Sequence, residues 1–239
     1  MKSRWYWLAG ITVSAALGAQ ALAMNNPIPP FSQIGSLDDG WEPLQFPKIE
    51  QHTLYELVQE DGQQVVRATT EGGASGLITR LNLDPDSTQK LAWQWKVSNV
   101  FEAGNAREKS GDDYPARIYV AFEFQPEEAG FFERAKRKTV EVLFGETLPG
   151  NALNYIWANK LPEGEFIANS YTDRTMMVAV SSGGSRVGQW VSVERDIAAD
   201  YRRAFGEDPP PVVGIAIMSD SDNTGERATA WYRDLTLSP

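Results

Sequence analysis

The stretch Leu91–Val97, LAWQWKV, alternates without a break: Leu91, Trp93, Trp95 and Val97 point one way, and Ala92, Gln94 and Lys96 the other. A two-residue period cannot make one face of a helix, so this run must be a strand with one buried side. ARIYVAFEF repeats the pattern, setting Ile118, Val120, Phe122 and Phe124 against Arg117, Tyr119, Ala121 and Glu123. TLYELVQE, QQVVRATTE, TMMVAVSS, GQWVSVERD, VVGIAIMSD and ATAWYRDLTL also read as strands. Asp61-Gly62, Gly72-Gly73 and Gly183-Gly184 supply turns between several of them. Two segments depart from the period. A helix is expected from about Glu127 to Leu143, stopped by Gly145, and a shorter one within Asp196–Pro211, closed by Gly206 and the prolines. Many strands, few helices and no alternating βαβ rhythm predict a mainly-β chain: an antiparallel β-sandwich of jelly-roll type with one or two short helices. No linker divides it, so residues 31–239 are expected to form a single domain.

The N-terminus predicts the compartment. Lys2 and Arg4 precede an apolar stretch from Trp5 to Ala23 that ends in Ala21-Leu22-Ala23. A basic start, a short apolar run and small residues before the cut are the marks of a secretory signal peptide, here residues 1–23 with cleavage after Ala23. A spanning anchor needs about 20 strongly apolar residues, and this stretch is diluted by Gly, Ser, Thr and Gln. NNPIPPF has the proline density of an extended leader, residues 24–30, rather than of a core element. The expected location is periplasmic or secreted, with no membrane anchor after cleavage. With no cysteine, lipoprotein attachment and disulfides are excluded, so the fold must rest on its core. Loss of Lys2 and Arg4 from 22 basic and 32 acidic residues leaves 20 against 32, near −12. Such a surface repels nucleic acid, whose binding relies on basic side chains.

Composition also removes most chemistries. His52 is the lone histidine and sits in no motif, so a Ser-His-Asp triad would have to recruit it. GGASGL around Ser75 misses the spacing of a nucleophile elbow. Histidine-rich zinc sites, thiolate catalysis and glycine-rich phosphate loops are absent. Carboxylate chemistry, oxygen-ligated calcium and binding without catalysis remain.

Two acidic foci stand out. In SDSDNTGE, Asp220, Asp222 and Thr224 match the first, third and fifth ligands of an EF-hand loop, with Gly225 sixth; the twelfth position, which needs a bidentate acid, is Trp231. The segment is therefore either a looser Ca²⁺ site using Asp220, Asp222, Asn223 and Thr224, or a hairpin whose Asp and Asn side chains bond their own backbone. The second focus is Asp112-Asp113, at the start of the strand that carries Arg117, Tyr119 and Glu123; one of the pair is expected to bond Arg117 and close a turn. Glycoside hydrolysis needs two carboxyls about 5–9.5 Å apart, and Glu123 with Asp113 or Asp220 is the candidate pair. Among the aromatics, Trp93 and Trp95 belong to the core. Trp157, Tyr171 and Trp190 are candidate sugar platforms, because an exposed ring beside polar groups suits a pyranose.

LAWQWKV, KSGDDYPARIYVAFEF, LNYIWA, NSYTDRTMMVAVSSG and the run from GQWVSVERD through WYRDLTL together resemble the bacterial domain of unknown function 3047 family, over roughly Phe31 to Leu237. The resemblance implies an exported, mainly-β protein and brings no established activity. It maps the family's polar motifs onto Asp112, Asp113, Arg117, Asn154, Tyr171, Asp173, Asp220, Asp222, Asn223 and Thr224. The leading expectation is a β-sandwich that binds a glycan or similar polar ligand, with Arg117, Tyr119, Glu123, Trp157, Asp220 and Asp222 on one face or rim. The alternatives are an envelope structural or assembly protein, and a carboxylate-dependent glycoside hydrolase or polysaccharide lyase.

Overall fold

The computed structural model describes residues 26–84, 90–126 and 150–238. The expected signal peptide, residues 1–23, and the expected Glu127–Leu143 helix lie outside them. Two sheets stack as a β-sandwich. Among the described residues, sheet A has seven strands in the spatial order β1 (Glu42–Leu44), β4 (Ala74–Leu83), β11 (Val212–Asp220), β6 (Arg117–Phe122), β7 (Ala152–Ala158), β9 (Thr172–Ser182) and β8 (Phe166–Asn169). Sheet B runs β10 (Val191–Asp196), β5 (Lys90–Val97), β12 (Arg227–Tyr232), β3 (Gln63–Glu71) and β2 (Leu54–Glu60), and β13 (Thr236–Ser238) also pairs with β5. Among the described residues the pairings are antiparallel except β7–β9, which is parallel from Ala152↔Thr175 onward. That exception follows from β8: the chain crosses to the sheet edge before turning back into β9.

The alternation marks the core. Leu91, Trp93, Trp95 and Val97 from sheet B share one buried cluster with Ile118, Val120 and Phe122 from sheet A. Aromatic rings bridge the sheets, with Trp93 to Tyr155 at 5.5 Å and Trp95 to Trp157 at 5.9 Å between centroids. The Trp95 indole N–H also donates across the sandwich to Ser181 Oγ at 3.2 Å. The second expected helix is present as α1 (Ile197–Phe205). Asp196 caps its first turn by accepting from Ala199 N at 2.8 Å, and Gly206, at φ 77°, ends it in the left-handed region. No helix among the described residues is long and apolar enough to cross a membrane.

Several readings need correction. The strand expected through Phe124 stops at Phe122, where Glu123 N turns away to Pro211 O. GQWVSVERD becomes strand only from Val191. ATAWYRDLTL splits into β12 and β13, with Arg233–Leu235 looping between them. The proline-rich leader does enter the core. Ile28 and Phe31 are fully buried, Trp41 packs on Phe31 and donates to Pro29 O, and Asn26 bonds Leu235 O and Leu237 N. Prolines prevented a strand there without preventing burial.

Candidate functional site

SDSDNTGE carries the chain from β11 in sheet A to β12 in sheet B, so it is a crossover between sheets and not a hairpin. Its turn closes through Gly225, at φ 71°, whose N–H donates to Ser221 O at 2.8 Å. The donors of the turn are satisfied by Asp113, more than a hundred residues away in sequence. Asp113 accepts from Asn223 N (3.0 Å), Asn223 Nδ2 (2.9 Å) and Thr224 N (2.6 Å). Its own carbonyl is held by Asn159 Nδ2 at 2.7 Å, while Asn159 Oδ1 accepts from Phe101 N. Gly104 leaves room for that amide, since a Cβ there would lie 2.0 Å from Asn159 Nδ2.

The neighbouring residues knit the two acidic foci together. Asp220 N donates to Tyr114 O at 3.2 Å, and Tyr114 N donates back to Asp220 Oδ1 at 3.3 Å. Arg117 pairs through Nη2 with Asp220, and not with Asp112 or Asp113 as expected; the two side chains are 6% and 1% exposed. The guanidinium stands 5.2 Å from the ring centre of Tyr114 and 5.3 Å from that of Tyr119. Asp112 accepts from Tyr114 OH at 3.0 Å and Asn169 Nδ2 at 2.7 Å. Tyr171 is 56% exposed, yet its hydroxyl reaches both Asn223 Oδ1 (2.8 Å) and Lys109 O (3.1 Å), with the Lys109 ammonium 5.2 Å from the ring centre.

Two features of this cluster ask for a ligand. Arg117 Nε and Nη1 are buried with no hydrogen-bond partner, and so is Asn154 Oδ1 on the adjacent strand. Buried orphans of this kind are rare in native proteins. In addition, Asp113, Asp220 and Asp222 each place a carboxylate oxygen within 4.8 Å of the other two. Burial, followed by repulsion from Asp113, Asp112 and Asp222, pushes the Asp220 carboxyl well above the usual range despite Arg117. Asp222 moves the same way through desolvation and the nearby Asp113. Burial likewise pushes the Tyr119 hydroxyl up to about 12, against the pull of Arg117.

The structure thus gathers Asp112, Asp113, Arg117, Tyr171, Asp220, Asp222, Asn223 and Thr224 at one end of the sandwich. Tyr119 and its register partner Asn154 lie one step along the outer face of sheet A. Asp173 is exposed at the start of β9, outside the bonded cluster. Glu123 shares the alternation of Arg117 but sits six residues further along, about 20 Å at the rise of a strand, so its pairing with Asp113 or Asp220 is not formed. Trp157 is fully buried, with its N–H on Gly183 O; it belongs to the core and offers no platform. Ser75 Oγ donates to Thr53 O, and His52 is exposed. Tyr114, Asn159 and Asn169 are the members that sequence reasoning missed. Tyr114 directly follows the Asp pair, which was the available signal; the two amides had none.

The architecture is that of a two-sheet β-sandwich with a polar cluster at one end. The chain belongs to the family described as a protein of unknown function (DUF3047), which matches residues 39–236. No curated protein matches it at a significant level. Among solved structures it is similar to a carbohydrate-binding module of family 28 specific for non-crystalline cellulose, at 10% identity and TM-score 0.43, covering 90% of this chain and 95% of that one. A mutant of the family 29 module CBM29-2 complexed with mannohexaose gives 11%, TM-score 0.36, and 87% and 89% coverage. A family 4 carbohydrate-binding module gives 13%, TM-score 0.34, and 85% and 99%.

Proposed function

We propose that this is an exported protein, periplasmic or secreted, whose β-sandwich binds a glycan or similar polar ligand at the Asp112–Asp113 and Asp220–Thr224 end. The observation that carries the reading is Tyr171. Its ring is exposed, yet its hydroxyl, which donates its one proton to Asn223 Oδ1 or to Lys109 O, ties it beside a cluster of carboxylates. A fixed aromatic face offers the apolar side of a sugar ring a surface, and the acceptors around it suit hydroxyl donors. The buried nitrogens of Arg117 and oxygen of Asn154 that lack partners add donors and an acceptor to this end of the sandwich. In calorimetric titrations against a panel of soluble polysaccharides, Tyr171→Ala should weaken binding about tenfold or more, the loss of roughly 1.4 kcal/mol, with the melting temperature unchanged. Equal affinity in the two proteins would remove Tyr171, and this reading with it.

The carboxylate trio supports a second reading, a divalent cation at Asp113, Asp220 and Asp222. Oxygen donors in a flexible set suit Ca²⁺. The carboxyls of Asp222 and Asp220 have raised values when folded, so in the window above the ordinary aspartate value the folded state binds more protons than the unfolded one. Stability without metal therefore falls as pH rises through that window. Calcium competes with those protons. It should raise the melting temperature at pH 7.5, do less at pH 5, and do nothing for Asp222→Asn at either pH. A calcium shift that survives in Asp222→Asn places the ion elsewhere.

A further inference from the structure

A separate cleft of about 520 Å³ opens on sheet B, lined in part by Gln63, Trp93, Gln94, Ser192, Arg233 and Asp234. Its origin lies in the strand pairing. β5 is covered by β12 only at Trp95–Val97 and by β13 only at Lys90–Ala92, so Trp93 and Gln94 fall in the gap where Arg233–Leu235 loops out.

One donor at this cleft is unsatisfied: the Nε of Arg233 is buried and has no partner among the described residues. Arg233 donates through Nη1 to Gln94 Oε1 at 2.6 Å, a neutral acceptor, and makes no ion pair among the described residues. The nearby carboxylates are already engaged: Asp234 accepts from Ser32 N at 2.8 Å and from its hydroxyl, Glu194 faces Lys90 at 3.4 Å, and Glu60 pairs with Lys96. An uncompensated guanidinium in so acidic a protein is a specific feature. It stands 4.0 Å from the ring centre of Trp190, whose own N–H is fixed on Asp61 at 2.8 Å.

We propose that this cleft is a binding site for a carboxylate-bearing saccharide, a uronate unit, with the carboxylate on Arg233 and the sugar hydroxyls among the neutral polar side chains of Gln63, Gln94 and Ser192 that line it. Each part follows from the chemistry. Buried donors require acceptors, a guanidinium favours a carboxylate over a neutral oxygen, and the volume lies in the range of small-ligand pockets, about 300–1,000 Å³. An acidic peptide added as a strand is disfavoured, because Gln94 O on β5 is already taken by Arg233 N at 2.9 Å. The site is independent of Tyr171.

The test titrates the folded protein with trigalacturonate, with neutral maltotriose and with a triglutamate peptide, read by tryptophan fluorescence and calorimetry. Trigalacturonate should bind best. Arg233→Gln should weaken it about tenfold or more, the scale of one charged hydrogen bond. Tyr171→Ala should leave it unchanged, which separates failure here from failure at the other end. Binding should weaken between 50 and 500 mM salt. Absence of trigalacturonate binding, equal binding of maltotriose, tighter binding of the peptide, or full affinity in a folded Arg233→Gln would each overturn the proposal.

Discussion

Arg117→Leu is expected to lose about 3–5 kcal/mol of stability, the usual cost of leaving a buried charge without its partner. For a chain of this size that is a fall of roughly 6–20 °C in melting temperature. Arg117 and Asp220 are both withdrawn from water. Without the guanidinium, Asp220 keeps its desolvation and its repulsion from Asp113, Asp112 and Asp222, the causes that already raise it. The variant must then fold with Asp220 protonated. Its folded value rises further above the unfolded one, so the stability deficit should be small near pH 5 and grow as pH rises to 8. Adding Asp220→Leu should recover most of the loss, because an apolar pair carries no uncompensated charge. Urea unfolding at the two pH values measures all three proteins. A deficit equal at both pH values, with no recovery in the double variant, would mean that the pair does not organise this end of the sandwich.

Trp95→Ala is expected to lose about 3–5 kcal/mol, the range for truncating a large buried aromatic. The ring is wholly buried between the sheets, packing on Trp93 at 5.4 Å and Trp157 at 5.9 Å between centroids. Its removal opens a cavity and leaves Ser181 Oγ without the indole donor. Trp95→Phe keeps most of the volume and loses only the cross-sheet hydrogen bond, so it should cost about 1–2 kcal/mol. Thermal unfolding of the two variants separates packing from hydrogen bonding. Similar small losses in both would show that the tryptophan stack does not hold the sheets together.

Alternation made the inner faces of β5 and β6 legible, because each has one buried and one polar side. It failed for β7, where every residue of ALNYIWA is buried and no period remains to be seen. The parallel β7–β9 pair was equally hidden, since it depends on the long crossing to β8. At the site, the density of carboxylates marked Asp112, Asp113, Asp220 and Asp222. Their pairing did not follow, because Arg117 and Asp220 are separated by 103 residues and nothing local links them. Trp157 and Tyr171 were alike as aromatics in polar surroundings; only the packing of β7 against sheet B distinguishes a core ring from an exposed one. Glu123 shows the limit of face arguments, which assign a side of the sheet and leave the distance along the strand to be counted.

The most direct test of the ligand-binding account is amide mapping by NMR on isotope-labelled protein from Met24 onward, titrated with the glycan that binds best in the polysaccharide panel. The account predicts that perturbations concentrate at Asp113, Tyr114, Asn169, Tyr171, Asn223 and Thr224, the backbone that positions the exposed ring and the carboxylates. Perturbations confined to β1, β2 or the α1 end of the sandwich, with those six amides unmoved, would contradict it.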